Sequence, residues 1–218
     1  MSKKGFIFDL DGVIVDTAKY HYLAWKKLAN ELGFEFTKEQ NEMFKGVSRK
    51  RCLEILLDIG NVDATQDQFN KWMVEKNTGY LKYIDKMDES EILPNVTKTL
   101  DFLKKHNQPI ALGSASKNAK QILEKVGLLT YFDAIVDGNN VAKAKPDPEV
   151  FLIAAEQLGV STNNCLVFED AVAGIRAANN ANMTSIGIGN QKVLHEANHV
   201  FNDFTEIENE FLMDFIKS

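Results

Sequence analysis

Residues 5–17 read GFIFDLDGVIVDT. Gly5 to Phe8 form a short, almost wholly apolar run, the pattern of a strand covered on both faces within a parallel sheet. A carboxylate left ionised inside such a run costs several kcal/mol, roughly. Asp9 is therefore expected where the strand ends and the chain meets solvent or a metal. In an open α/β sheet, that carboxyl edge of the strands is where ligands bind. Asp11 follows shortly after, ahead of Gly12, which permits a sharp exit turn. Two carboxylates at one strand end suggest a magnesium site, a nucleophile with its acid/base partner, or both. The plain alternative is that they only start a turn.

The rest of the chain supplies the sheet for that strand. Helical patterns fill residues 18–82: Ala18 to Leu32, ending at Gly33, then Arg51 to Ile59 and Gln66 to Tyr83. Beyond Leu93 helices and strands alternate. Helices near Asn95–Lys105, Asn118–Val126, Pro148–Leu158 (capped by Asp147) and Ala171–Asn180 precede strands Ile110–Gly113, Ala134–Val136, Cys165–Phe168 and Thr184–Ile188. That alternation implies an α/β fold with a doubly wound parallel, Rossmann-like sheet. The first strand ends at Asp9 and the next begins near Ile110, whereas direct connections take about 2–6 residues. The economical solution is an inserted helical cap over 17–83, with 1–16 and 84–218 forming the core. The crossings are expected near Val13–Asp16 and Tyr83–Asp88.

The 218 residues are 44% hydrophobic and 26% charged, as in an ordinary soluble globular protein. A net charge of −6 argues against a nucleic-acid partner but permits a small phosphorylated ligand held by a few cations. Cys52 and Cys165 read as packed thiols suited to a reducing compartment. No secretory signal, long apolar span or lipidation motif is visible, so a cytoplasmic monomer without a membrane partner is expected.

Three further stretches follow predicted strands. In ALGSASKN (111–118), Ser114 stands between a strand and a helix start, where a hydroxyl and backbone amides suit phosphate oxygens, or simply a cap. In AKAKPDP (142–148), Lys145 precedes Pro146 and taken alone is a solvated charge. In LVFEDAVAGIRAA (166–178), Glu169 and Asp170 either favour a helix macrodipole or complete an octahedral magnesium site.

Together FDLDGVIVDT (8–17), Ser114, Lys145-Pro146 and Glu169-Asp170 resemble, in order, the four motifs of the haloacid dehalogenase superfamily of phosphoryl-transfer enzymes. The resemblance covers nearly the whole chain, including the inserted cap. It implies Asp9 as the nucleophile that becomes an aspartyl-phosphate, and Asp11 as general acid/base. It also implies Lys145 on the phosphate and nucleophile, and Ser114 with the Ala115 amide on phosphate oxygens. Mg2+ is then expected on Asp9, the Asp11 backbone carbonyl, Asp170 and Glu169.

Within the expected cap, FKGVSRKR (44–51) resembles the substrate loop of the superfamily's sugar-phosphate mutases: Lys45, Gly46, Val47, Ser48 and Arg49. Thr17, His21, Trp25, Lys76 and Asn77 also match, as does Ser114-Ala115-Ser116-Lys117-Asn118. Thr17 and His21, four apart, share a helix face. The resemblance makes them a pair that couples cap closure to Asp11, with Lys76 supporting His21. It gives Arg49, Ser116, Lys117 and Asn118 the phosphate that is not transferred. The implied reaction interconverts β-D-glucose 1-phosphate and D-glucose 6-phosphate, with β-D-glucose 1,6-bisphosphate as activator and intermediate. A magnesium-dependent sugar-phosphate phosphatase shares every core residue, and a non-catalytic phosphate-binding protein keeps the fold. A solvated basic face at Lys45–Arg51 and a core role for Trp25 are the plain readings of the cap residues.

Overall fold

The computed structural model describes residues 3–44 and 47–218. β1 (Gly5–Phe8) is buried along its length and pairs in parallel with β2 (Ile110–Gly113) on one side and β4 (Cys165–Glu169) on the other. β3 (Ala134–Val136) lies outside β2, and β5 (Thr184–Ile188) and β6 (His199–Phe201) continue beyond β4. Among the described residues the sheet order is β3-β2-β1-β4-β5-β6, all parallel. The chain steps outward from β1 to β3 and then returns to the other flank of β1. The order therefore reverses between β1 and β4, and the crevice of such a sheet opens at that point.

Between β1 and β2 run α1 (Ala18–Glu31), α2 (Lys38–Asn41), α3 (Arg49–Gly60), α4 (Gln66–Ile84) and α5 (Val96–Lys105). Local signals set their bounds. The Ser48 hydroxyl accepts from Arg51 N to start α3, and Asn61, left-handed at φ 49°, ends it. Thr65 and Gln68 form a capping box at the start of α4. Later come α6 (Ala119–Lys125), α7 (Glu149–Leu158), α8 (Val172–Asn180) and α9 (Asn209–Lys217).

Side-chain alternation divides the sheet's contacts. Phe6, Phe8, Leu112 and Phe168 pack with α5, α6 and α9, while Ile7, Ala111 and Val167 pack with α7 and α8. Each large residue fully buried this way contributes about 1.5–3 kcal/mol. Trp25, Leu28, Phe36, Phe44, Leu53 and Leu56 form a separate apolar cluster among α1–α3. Ala24, Tyr80 and Ile84 of α1 and α4 join the sheet's own cluster instead, rooting the helical layer on the sheet. Among the described residues no helix is long and apolar enough to cross a membrane.

The expected strands appear with small shifts. β4 runs one residue further, so Glu169 belongs to the strand. Pro148, not Asp147, occupies the cap position of α7, although Asp147 Oδ1 still accepts from Glu149 N at 3.1 Å. β6 and α9 had no expectation attached; β6 is three residues long and partly exposed, too short for an apolar period to emerge.

Candidate active site

Asp9 is the first residue beyond β1, its backbone N held by Phe168 O at 2.9 Å and its side chain almost buried. Lys145 Nζ donates to Asp9 Oδ1 at 2.7 Å, Glu169 Oε2 at 2.9 Å and Gly113 O at 3.0 Å. All three ammonium protons are thus spent on groups from β1, β4 and β2 or its immediate end. Burial works against the Lys145 charge, but Asp9 and Glu169 more than offset it and hold its pKa above the usual lysine value. Lys145 reaches this point from the long β3–α7 loop, not from a strand end as the sequence pattern had implied.

Asp9, Glu169 and Asp170 each offer an oxygen within 4.8 Å of the others. Glu169 Oε1 is buried without a hydrogen-bond partner, and burial pushes the Glu169 carboxyl well up. Hard carboxylate oxygens and an orphaned acceptor fit a hard divalent cation. Two glycines allow the carboxylates to gather. At Gly12, with φ +79°, a Cβ would lie 2.3 Å from Asp170 Oδ2; at Gly174 it would lie 2.0 Å from Glu169 Cδ.

Asp11 sits on the Gly12 turn, and the fully buried Thr17 donates its hydroxyl to Asp11 Oδ1. Burial, then the charges of Asp9 and Asp170, push the Asp11 carboxyl up to about 8. His21 Nε2 stands 3.9 Å from Asp11 Oδ2. Its Nδ1 is 2.9 Å from Lys76 Nζ, an arrangement in which the lysine donates and the ring is neutral. Burial, followed by Lys76 and Arg49, holds His21 well below the usual histidine value. Lys76 is itself buried, its ammonium 4.6 Å from the Trp25 ring centre and 4.8 Å from that of Tyr80. Lys76 therefore faces His21 and two rings, although it still borders the cleft.

Ser114 follows β2, buried, with its N on Val136 O at 3.0 Å. The Ser114 and Ser116 hydroxyls accept from the N–H groups two residues on, at 3.1 and 3.3 Å, folding 114–118 into a tight loop. Ala115, Ser116, Lys117 and Asn118 border the same cleft as Val47, Ser48 and Arg49 at the start of α3. Asn118 Nδ2 donates to Asn77 Oδ1 at 3.0 Å, joining the loop to α4. The cleft measures about 420 Å³, a small-ligand size. Trp25 borders it but is 1% exposed and meets Phe44 edge-on, so it serves the helical core as well. Lys45 and Gly46 lie outside the described residues. Sequence reasoning missed Gly138, where a Cβ would sit 2.4 Å from Ala115 O; Cys52 is the packed thiol expected, buried on the cleft wall near the carbonyls of Phe44 and Val47.

The haloacid dehalogenase-like hydrolase family matches residues 6–188, which include every core group described above. The chain belongs to that family. Among the family's members, the chain is similar to β-phosphoglucomutase of Bacillus subtilis, with 40% identity over 96% of this chain and 93% of that protein. A crystal structure of β-phosphoglucomutase from Clostridium difficile superposes with a TM-score of 0.94, 40% identity and coverage of 99% and 98%. The chain is also 30% identical to a phosphorylated carbohydrates phosphatase of Thermotoga maritima, over 83% of this chain and 82% of that one. Membership of the haloacid dehalogenase-like family with mutase relatives implies a metal cofactor, which the Asp9, Glu169 and Asp170 oxygens suit.

Proposed function

We propose that the protein is a β-phosphoglucomutase, interconverting β-D-glucose 1-phosphate and D-glucose 6-phosphate. Residues 17–83 act as the cap, and 1–16 with 84–218 as the core. The observation that carries this reading is one cleft bordered both by Ser114, Ala115 and Lys145 beside Asp9 and by Arg49, Ser116, Lys117 and Asn118. Ser114, Ala115 and Lys145 serve the phosphoryl group at Asp9; Arg49, Ser116, Lys117 and Asn118 serve the other phosphate.

Asp9 attacks phosphorus in line, and the bond from phosphorus to the sugar oxygen breaks as Asp11 delivers its proton there. In the reverse sense Asp11 takes the proton of the 6-hydroxyl of β-D-glucose 1-phosphate as that oxygen attacks phospho-Asp9. The β-D-glucose 1,6-bisphosphate so formed turns over, returns its 1-phosphate to Asp9 and leaves as glucose 6-phosphate. The chemistry supplied by Mg2+, held on Asp9, Glu169 and Asp170, is neutralisation of charge between phosphate and carboxylates. Lys145 adds to that neutralisation and orients Asp9. Ser114 and the Ala115 amide hold equatorial oxygens. Thr17 and His21 hold Asp11 in place. All these groups come from one chain, so a monomer suffices. The buried free thiols suit a cytoplasmic setting.

A sugar-phosphate phosphatase is the second reading, favoured by the phosphatase relative at 30% identity. The deciding assay follows glucose 6-phosphate and free phosphate together, with magnesium, β-D-glucose 1-phosphate and a trace of the 1,6-bisphosphate. Glucose 6-phosphate with little free phosphate, and none from the α-anomer, is expected. Phosphate release without isomerisation moves the protein to the phosphatases.

A further inference from the structure

The chain passes between sheet and cap twice, and the two passages are sewn together. Val15 pairs antiparallel with Ile92, Leu93 N donates to Ile14 O at 3.0 Å, and Asp16 N to Glu91 O at 3.1 Å. Beside this short ladder the Glu91 side chain turns back onto the first turn of α1. Its Oε2 accepts from Lys19 Nζ at 2.6 Å and its Oε1 from the Tyr20 hydroxyl. The Glu91 carboxylate is only 12% exposed, and the Tyr20 ring stacks on Tyr83 of α4 at 5.4 Å. Glu91 is not among the residues that border the cleft.

The start of α1 needs such an anchor. Thr17 occupies its N-cap position, yet the Thr17 hydroxyl makes no capping bond, because it is committed to Asp11. A helix start without its side-chain cap forgoes about 0.5–2 kcal/mol of local hold. Thr17 O accepts from Tyr20 N at 2.9 Å and His21 N at 3.1 Å. One helical turn therefore carries the Asp11 partner at its head and the residue gripped by Glu91 just behind.

We propose that Glu91 is a positioning residue for phosphoryl transfer: from the second passage it fixes the first turn of α1, and so the Thr17–Asp11 hydrogen bond, without touching substrate. The Lys19 side chain is 46% exposed, so the bond from the Tyr20 hydroxyl to the largely buried carboxylate is the one that sets that geometry. The inference rests on the mutase reading for what Asp11 does. A small misplacement of an acid/base group lowers turnover far more than it lowers binding.

The test compares Glu91→Ala, Glu91→Gln and Tyr20→Phe with wild type for kcat, KM and the ratio of glucose 6-phosphate to free phosphate. Glu91→Ala is expected to lower kcat by about tenfold or more, with KM within about threefold, and to raise the share of phosphoryl groups lost to water. Glu91→Gln keeps an acceptor for Tyr20 and is expected to recover most of the loss. Tyr20→Phe, which keeps the ring stack, is expected to move in the same direction as Glu91→Ala, and serves if that variant does not fold. Wild-type kcat and partition in Glu91→Ala and Tyr20→Phe would overturn the proposal, as would a loss confined to thermal midpoint. Wild-type protein that forms no glucose 6-phosphate overturns the mutase reading instead, so the two failures are distinct.

Discussion

Lys76 holds its ammonium among Trp25, Tyr80 and His21 with 3% of its surface exposed. Burial, then the Arg49 charge, bring its pKa down to about 7. The unfolded chain keeps the ordinary value near 10.5. Between those values the unfolded state binds more protons than the native state, so this group makes stability rise with pH, by up to about 1.4 kcal/mol per unit. Asp11 has the opposite sign: raised to about 8, it makes stability fall as pH climbs from near 4. Lys76→Met keeps the packing volume and removes the titration. Compared with wild type, its urea midpoint is expected to lose the rise between about pH 7 and 10.5 while gaining at pH 7. Parallel curves for the two proteins across that window would refute the assignment. The same substitution frees His21 Nδ1, so mutase turnover is expected to drop.

The first turn of α3 carries Arg49, Lys50 and Arg51 and has no acidic residue. Cations at a helix N-terminus oppose the macrodipole by about 0.3–1 kcal/mol each. Among the described residues Arg51 has a local answer, in Glu54 at 2.9 Å. Such a cluster makes sense for an anion that arrives from outside. Arg49→Ala is therefore expected to leave the thermal midpoint level or slightly higher. On the proposed reading, in which the distal phosphate helps hold the cap closed, mutase turnover should fall at least about tenfold and loss of phospho-Asp9 to water much less. Equal losses in both rates sink the idea that α3 chooses sugar over water. This element also marks how far sequence alone could go. The strands and the Asp9, Ser114 and Glu169 positions were readable because each is a local event, an apolar run meeting a polar residue at its end. Glu91 was not, because its partners Lys19 and Tyr20 lie 72 and 71 residues away. Gly138 was hidden for the same reason: a glycine under Ala115 acquires its role only when distant loops meet.

The two apolar clusters on the sheet and the third among α1–α3 make the molecule two connected bodies, joined through Ala24, Tyr80 and Ile84. The carboxylates of Asp9, Glu169 and Asp170, which could hold a metal ion, lie on the sheet body. Without a cation, three carboxylates are held together there against the one charge of Lys145, and folding must oppose the remaining repulsion. A ligand that binds only the folded state adds RT ln(1 + [L]/Kd), about 2.7 kcal/mol at a hundredfold excess over Kd. For a chain of this length that corresponds to a rise of about 5–10 °C in thermal midpoint. Wild-type protein in excess magnesium is expected to melt that much higher than in EDTA. Asp170→Asn removes one charge and keeps the shape, so in EDTA it should melt at or above wild type. Magnesium should then raise its midpoint far less. The sign of the variant's shift separates the alternatives. If Asp170 were a structural acid unrelated to a cation, its replacement would lower the midpoint in EDTA and leave the magnesium increment intact. If it is a ligand, stability in EDTA and response to magnesium move in opposite directions, an outcome that loss of packing cannot imitate.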